Sequence, residues 1–223
     1  MKVLIFGATG MVGQGVLREC LLDPEIEIVQ TLGRTPTGKH HPKLQEIIHQ
    51  DLWNYDTIKN VLVGFDVCFF CLGISSSGVS ENDYKHITYD ITLAAAETLA
   101  KLNPQMTFVY VSGAGTDSTE TGSSMWARIK GKTENALLRL PFKAVYMFRP
   151  AAIQPLHGIQ SKTKVYRIFY TLTKPLLPLL RAMFPTYILT TEQIGHAMIA
   201  VAKHGASKHI LESKDIYRLS FSD

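Results

Sequence analysis

The chain has 223 residues, of which 46% are hydrophobic and 19% are charged, and its formal net charge is +4 at pH 7. This length suits one domain with a full core, and the composition is that of an ordinary globular protein, not of a disordered chain. The small positive charge gives no indication of nucleic-acid binding, although a local positive site for an anionic cofactor is compatible with it.

Short apolar strands alternate with helical segments over the first 150 residues. The strands are predicted at 3–6, 26–32, 44–49, 66–72, 106–112 and 143–148, and the helices at 12–22, 56–62, 82–102 and 124–140. Strands that are apolar throughout and separated by helices indicate a parallel sheet covered on both faces. We therefore expect an α/β fold with a doubly wound parallel sheet of the Rossmann type.

The alternation stops after residue 150, where residues 151–190 hold four of the ten prolines. A further helix is predicted at 194–203, because Thr190 and Gln193 have the spacing of a capping box. We divide a single domain of residues 1–223 into a dinucleotide-binding core at 1–150 and a small substrate lobe at 151–223. The lobe is expected over the carboxyl ends of the strands, where ligands of such sheets bind.

Residues 165–189 mix basic and apolar side chains, which raises the alternative of a helix lying on a membrane surface. Three prolines and poor periodicity in this stretch favour packing within the lobe. A Tyr-x-x-x-Lys motif, Tyr170 to Lys174, lies here and is interpreted as a chance match.

The cysteines and the first residues indicate the cellular compartment in which the protein is expected. Three cysteines are too few for a disulfide framework and suit a reducing environment. Cys68 and Cys71 fall on a predicted buried strand, so we interpret them as core thiols. The first residues lack the pattern of a signal peptide, and we expect a cytoplasmic protein. None of the eight histidines has the spacing of metal ligands, so no metal site is expected.

The turn after the first strand carries Gly7, Gly10 and Gly13. Glycines at such a turn let the backbone approach a pyrophosphate, and the following helix offers free N–H groups and the positive end of its dipole. The spacing differs by one residue from G-x-G-x-x-G, but the strand–loop–helix context favours dinucleotide binding.

Arg34 follows the end of the second strand, where an NAD-specific site usually has an acid for the ribose 2′-hydroxyl. A guanidinium matches a 2′-phosphate in charge and in geometry. We therefore expect NADP(H) to be preferred over NAD(H).

These segments, taken in order, resemble the atypical short-chain dehydrogenase/reductases, particularly the NmrA-like and Tat-interacting-protein-like NAD(P)H-binding proteins. The resemblance covers most of the chain and is more specific for fold and cofactor than for the reaction. It rests on Gly7-Ala8-Thr9-Gly10-Met11-Val12-Gly13, Gly33-Arg34, Cys71-Leu72-Gly73, Val111-Ser112-Gly113-Ala114, Lys130-Gly131-Lys132-Thr133-Glu134 and Phe148-Arg149-Pro150-Ala151.

The resemblance implies a set of cofactor contacts along the carboxyl ends of the strands. They are Thr9, Gly10, Met11 and Val12 at the pyrophosphate, Arg34 at the 2′-phosphate, Asp51 and Leu52 at the adenine, Leu72 and Gly73 at the adenosine ribose, Lys130 at the nicotinamide ribose, and Pro150 and Ala151 at the nicotinamide.

Active members of the family use a serine and a Tyr-x-x-x-Lys pair, in which tyrosine gives a proton to the substrate. Ser112 and Lys130 match the serine and the lysine, but Trp126 stands at the position of the tyrosine. An indole N–H does not ionise near neutral pH and cannot act as the general acid.

Two functions of different classes follow. The first is an NADPH-dependent oxidoreductase acting on an unknown small carbonyl compound. The second is a non-catalytic NADPH-sensing regulator that binds a protein partner, which Trp126 favours. The sequence is compatible with a homodimer. We expect no nucleic-acid partner, and binding to a membrane surface is a weaker alternative.

Overall fold

The computed structural model describes residues 1–159 and 177–222. Seven strands form one sheet in the order β3-β2-β1-β4-β5-β6-β9, and all neighbouring strands are parallel. The strands of this sheet are β1 (Lys2–Phe6), β2 (Ile28–Gly33), β3 (Leu44–Ile48), β4 (Val67–Phe70), β5 (Thr107–Val111), β6 (Ala144–Arg149) and β9 (Ile210–Glu212). A separate parallel pair consists of β7 (Ala152–Gln154) and β8 (Ile188–Thr190).

Helices cover both faces of the sheet. They are α1 (Met11–Leu22), α2 (Glu81–Lys85), α3 (Ile91–Leu102), α4 (Met125–Leu137), α5 (Leu177–Met183), α6 (Thr191–His204) and α7 (Ser213–Leu219). A 3₁₀ helix spans Asp56–Val61, and a π-helical turn at His86–Asp90 joins α2 to α3. The expected doubly wound parallel sheet is therefore confirmed. No helix among the described residues is long and apolar enough to cross a membrane.

The central strand β1 shows why the sheet is buried on both faces. Val3 and Ile5 belong to a core shared with α1 and α6, whereas Leu4 and Phe6 belong to a second core under α3. Side chains alternate across a strand, so a strand without polar positions supplies both cores. The chain reverses its winding between β1 and β4, which opens a crevice at the carboxyl ends of these strands.

The predicted lobe at 151–223 needs a correction. Within the described residues, β9 pairs with β6 and extends the main sheet, and α6 packs against α1. The close approach of these two helices depends on Gly15 and Gly195, where an added Cβ would lie 2.7 Å from the Thr191 side chain and 2.6 Å from Glu19 Cγ. Among the described residues of this region, α5 and the β7–β8 pair lie outside the main sheet, and β7 follows the end of β6.

Some sequence predictions fall outside the described residues. They are the Tyr170 to Lys174 motif and the first part of the 165–189 stretch, residues 165–176. The described part of that stretch begins with α5.

Candidate functional site

The loop between β1 and α1 is tight on one side and open on the other. Gly7 has φ +74°, and a Cβ on Gly7 would lie 2.6 Å from the backbone nitrogen of Leu72. A Cβ on Gly13 would lie 2.1 Å from the carbonyl oxygen of Gly7. A Cβ on Gly10, in contrast, meets only the Gly7 oxygen at 3.3 Å. Gly7 and Gly13 are thus required by packing, and Gly10 lies on the open side of the loop.

The N-terminus of α1 presents backbone donors at this opening. Gly10 is the N-cap residue and has no side chain to accept their hydrogen bonds, and the first turn holds no acidic residue. Thr9, Met11 and Val12 are partly exposed around it. Uncapped N–H groups and the positive end of the helix dipole favour a bound anion. A pyrophosphate fits this loop.

A pocket of about 390 Å³ adjoins the loop at the ends of β1, β2 and β3. Its described lining combines the apolar side chains of Ala8, Leu32, Leu52 and Leu72 with hydroxyls, an amide, a guanidinium and backbone, and contains no acidic residue. The lining residues are Gly7, Ala8, Thr9, Thr31, Leu32, Gly33, Arg34, Thr35, Thr37, Gln50, Leu52 and Leu72. The size and composition suit an adenosine with an anionic substituent.

Arg34 is exposed at the rim of this pocket, directly after β2. Gln50 Nε2 donates to the Arg34 carbonyl oxygen at 2.9 Å, which ties the segment after β3 to the segment after β2. Sequence reasoning missed Gln50, Thr35 and Thr37. Their positions could have indicated a role, since all three residues follow the ends of predicted strands, where ligands of such sheets bind.

Asp51 and Leu52 have different environments. Leu52 is buried and lines the pocket. The Asp51 carboxylate accepts the backbone N–H groups of Trp53 at 2.9 Å and Asn54 at 3.3 Å. It shapes the turn and is not among the lining residues.

Ser112, at the carboxyl end of β5, directs its hydroxyl into the protein. Its Oγ donates to Glu134 Oε1 at 2.5 Å and lies 3.2 Å from the carbonyl oxygen of Phe148. Glu134 is fully buried and also accepts from Arg149 Nε at 3.1 Å and Nη2 at 2.5 Å. A carboxylate buried with these donors is well satisfied. The Ser112 hydroxyl therefore belongs to a buried ion-pair network.

Lys130 lies one turn before Glu134 on α4 and is partly buried. Its Nζ donates to the backbone carbonyl oxygen of Ser112. Burial disfavours the ammonium and lowers the pKa of Lys130 to about 8, although the negative charge of Glu134 acts in the opposite direction. With a pKa of about 8, the Lys130 side chain can change between ammonium and neutral amine near neutral pH.

Trp126 lies in the first turn of α4, on the same helix face as Lys130 four residues later. Its ring packs over the loop after β5, where a Cβ on Gly115 would lie 3.4 Å from Cη2. Gly115 has φ +84°, so a glycine suits both the backbone and the close ring. Trp126, at the position where the resemblance implies a tyrosine, thus packs against the loop after β5.

The predicted nicotinamide end is held together by backbone contacts. The Ala114 N–H donates to the Pro150 carbonyl oxygen at 2.9 Å, which joins the loop after β5 to the end of β6. Ala151 follows in an exposed position, and Gly73 has open space around it. Pro150 and Ala151, expected at the nicotinamide, thus follow the end of β6, and Lys130 reaches the end of β5 from helix α4.

The prediction of two core thiols is confirmed for Cys68 and only in part for Cys71. Cys68 is fully buried in β4, Cys71 is partly buried beyond it, and both are free thiols. Burial raises the pKa of Cys71 to about 12, so this thiol is unreactive at neutral pH. In the described part of the chain, no group of histidine, cysteine or carboxylate side chains is arranged to hold a metal ion.

Comparison with known proteins supports the dinucleotide site. Residues 3–125 match the model of the NAD dependent epimerase/dehydratase family. The mitochondrial protein FMP52 of Candida albicans is 30% identical over 159 residues, which covers 69% of this chain and 67% of that protein. Its namesake in Saccharomyces cerevisiae is 27% identical over 232 residues and covers 100% and 97% of the two chains.

Solved structures share the fold. The Bordetella bronchiseptica enzyme WbmF in complex with NAD⁺ and UDP superposes with a TM-score of 0.70 at 15% identity, over 95% of this chain and 71% of that one. A short chain dehydrogenase family protein of Francisella tularensis gives a TM-score of 0.67 at 16% identity, with 95% of both chains covered. The expected relationship to short-chain dehydrogenase/reductases is thus confirmed in the fold, whereas the NmrA-like assignment stays a prediction.

The expected cytoplasmic location is wrong on this comparison, because the relatives carry the description mitochondrial in their names. The absence of a signal-peptide pattern was too weak a basis for it. The match over residues 3–125, more than half of the sequence, shows that the chain belongs to the NAD-dependent epimerase/dehydratase family.

Proposed function

We propose that this protein is an NADPH-dependent oxidoreductase acting on a small carbonyl compound. The observation that carries the choice of cofactor is Arg34 at the rim of a pocket whose described lining has hydroxyls and no carboxylate. An unpaired carboxylate there would repel a 2′-phosphate, whereas a guanidinium binds it with charge-assisted hydrogen bonds.

The remaining contacts are those that the family resemblance implies, and the open glycine loop and the pocket beside it support them. The first-turn N–H groups of α1 hold the pyrophosphate, with Gly10 giving it room. Leu52 and Leu72 pack on the adenosine. Lys130 donates to the nicotinamide ribose, and Pro150 and Ala151 border the ring. When bound, the reduced nicotinamide supplies the reducing equivalents.

A non-catalytic NADPH-binding regulator is the second candidate. Two observations favour it: Trp126 stands at the position of the catalytic tyrosine, and the Ser112 hydroxyl donates to Glu134. A regulator needs cofactor binding and a protein partner but no proton donor. Turnover of a carbonyl compound by the wild-type protein separates the two candidates. The names of the relatives support a mitochondrial setting for either one.

Cofactor binding is tested by titrating the protein with NADPH and with NADH and following nicotinamide fluorescence. The proposal expects tighter binding of NADPH and a loss of that preference in Arg34→Ala. Arg139→Ala is a matched control, because this exposed arginine follows α4 at the opposite, amino end of the sheet.

A further inference from the structure

Few groups near the end of β5 are able to give up a proton. The Ser112 hydroxyl donates to Glu134, and Glu134 and Arg149 satisfy each other in a buried ion pair. The indole of Trp126 does not ionise. Of the described side chains that the site brings together here, this leaves Lys130.

The placement of Lys130 suits a proton donor. Its Nζ uses one N–H on the Ser112 carbonyl oxygen, and an ammonium has three. Two N–H groups thus remain for a ribose hydroxyl and a substrate oxygen. The anchoring carbonyl lies at the junction of β5 and β6, where Ala114 binds the Pro150 carbonyl oxygen beside the expected nicotinamide.

We propose that Lys130 is the catalytic acid of this protein and takes the role that tyrosine has in its relatives; this inference rests on the proposed oxidoreductase function. An N–H bond of the ammonium breaks, an O–H bond forms on the substrate carbonyl oxygen, and the carbonyl carbon receives its electron pair and hydrogen from NADPH. The neutral amine then regains a proton from water, so the alcohol and NADP⁺ balance the reaction.

The electrostatic surroundings favour this role. Burial lowers the pKa of Lys130 to about 8, close to the working range that general acids need, and Glu134 limits the fall. Arg149 pairs with both Glu134 and Glu212, so these charges form one network beside Lys130. The charged and titratable groups on α4 itself are Arg128, Lys132 and Glu134. The described elements around it add Glu81, Asp83, Tyr84 and Lys85 on α2, His86, Tyr89 and Asp90 on the π-helical turn, Glu97 and Lys101 on α3, Tyr110 on β5, Asp117 on the loop after β5, and Arg149 on β6.

The protonation of Lys130 determines how carbonyl reduction depends on pH. Lys130 is a proton donor only as the ammonium, which is present below pH 8 and is lost as the pH rises above it. Carbonyl reduction at saturating NADPH is therefore expected to decline above pH 8.

The first experiment does not require turnover. The protein without cofactor is pulse-labelled with acetic anhydride between pH 6 and pH 11, and the acetylation of each lysine is measured by mass spectrometry. We expect half-maximal reactivity of Lys130 near pH 8, well below about 10.4, the value for a free lysine. We also expect NADPH to protect Lys130 and to leave Lys132, an exposed lysine on the same helix, unprotected. A midpoint of Lys130 in the range of a free lysine would overturn the inference.

The second experiment measures NADPH oxidation against a panel of aldehydes and ketones. Lys130→Arg keeps a positive charge but holds its proton too strongly to donate it. We expect this variant to bind NADPH, to lose about 10²–10⁴-fold in kcat, and to lack the decline above pH 8. A Lys130→Arg variant with the wild-type kcat and the same pH profile would refute the role of Lys130 and leave the oxidoreductase proposal standing. Failure of the wild-type protein to reduce any compound while NADPH binds would refute both.

Discussion

Lys130 and Ser112 are joined through the backbone and not through the serine hydroxyl. Lys130 Nζ donates to the Ser112 carbonyl oxygen, while the hydroxyl donates to Glu134 at 2.5 Å. The two residues that match the family's catalytic serine and lysine are thus in contact, yet only the lysine keeps a group for chemistry. This relationship, together with Trp126, distinguishes the site from that of a tyrosine-dependent reductase.

Replacing Trp126 by tyrosine tests this distinction. In Trp126→Tyr the phenol would stand one helical turn from Lys130 and restore the missing acid of the family. We expect NADPH oxidation with small carbonyl compounds to rise, but by less than the full factor of about 10²–10⁴ for general acid catalysis, because Lys130 already supplies a proton in the wild type. Initial rates over the carbonyl panel measure it.

Trp126→Phe is the control for the size of the ring. It should behave as the wild type, because neither indole nor phenyl supplies an acid. A rise in Trp126→Phe equal to that in Trp126→Tyr would mean that the gain comes from opening the cleft.

A second prediction concerns Gly10, on the open side of the glycine loop. Gly10→Val should remain folded, because a Cβ there meets only the Gly7 oxygen at 3.3 Å, yet the side chain would occupy the space of the pyrophosphate. We expect at least about a 100-fold loss of NADPH affinity in fluorescence titrations. Circular dichroism should match the wild type.

Gly13→Ala is the matched comparison in the same loop. Its Cβ would lie 2.1 Å from the Gly7 oxygen, so the backbone must shift. We expect the free energy of unfolding to fall by about 3 kcal/mol, the upper part of the range for overpacking. Full NADPH affinity in folded Gly10→Val protein would show that the loop does not hold the cofactor.

The buried pair of Glu134 and Arg149 makes a third prediction, about stability. Arg149→Met leaves the Glu134 carboxylate buried without its main partner. We expect a loss of about 3–5 kcal/mol in the free energy of unfolding, measured in urea. Arg218→Met, at an exposed arginine on α7, should change it by less than about 0.5 kcal/mol. An equal loss of unfolding free energy in the two variants would show that the buried ion pair stabilises the fold no more than an exposed arginine does.

The sequence predicted the first six strands of the sheet because each is apolar over several residues and is followed by a turn or a helix. It missed β9, since three residues carry too little pattern to reveal a strand, and the predicted lobe at 151–223 therefore includes a strand of the main sheet. The π-helical turn at His86–Asp90 was also missed, because it interrupts a continuous helical pattern without a proline or a glycine.

The cofactor loop and Arg34 were predictable because they follow strand ends, where ligands of such sheets bind. The orientation of the Ser112 hydroxyl was not. It depends on Glu134, which lies 22 residues further along the chain, and no local pattern encodes that contact. The same applies to the Asp51 carboxylate, which binds the turn after it instead of facing the pocket.

The preference for NADPH is the central claim, and Arg34 is its most direct test. Dissociation constants for NADPH and NADH are measured by fluorescence titration for the wild type, Arg34→Ala and the control Arg139→Ala. A charge-assisted hydrogen bond to phosphate contributes about 1.5–3 kcal/mol, which predicts a preference for NADPH of about 10- to 150-fold in the wild type and in Arg139→Ala. In Arg34→Ala the affinity for NADPH should fall to that for NADH, and the affinity for NADH should stay unchanged. Equal affinities in the wild type, or a preference that survives Arg34→Ala, would contradict the account.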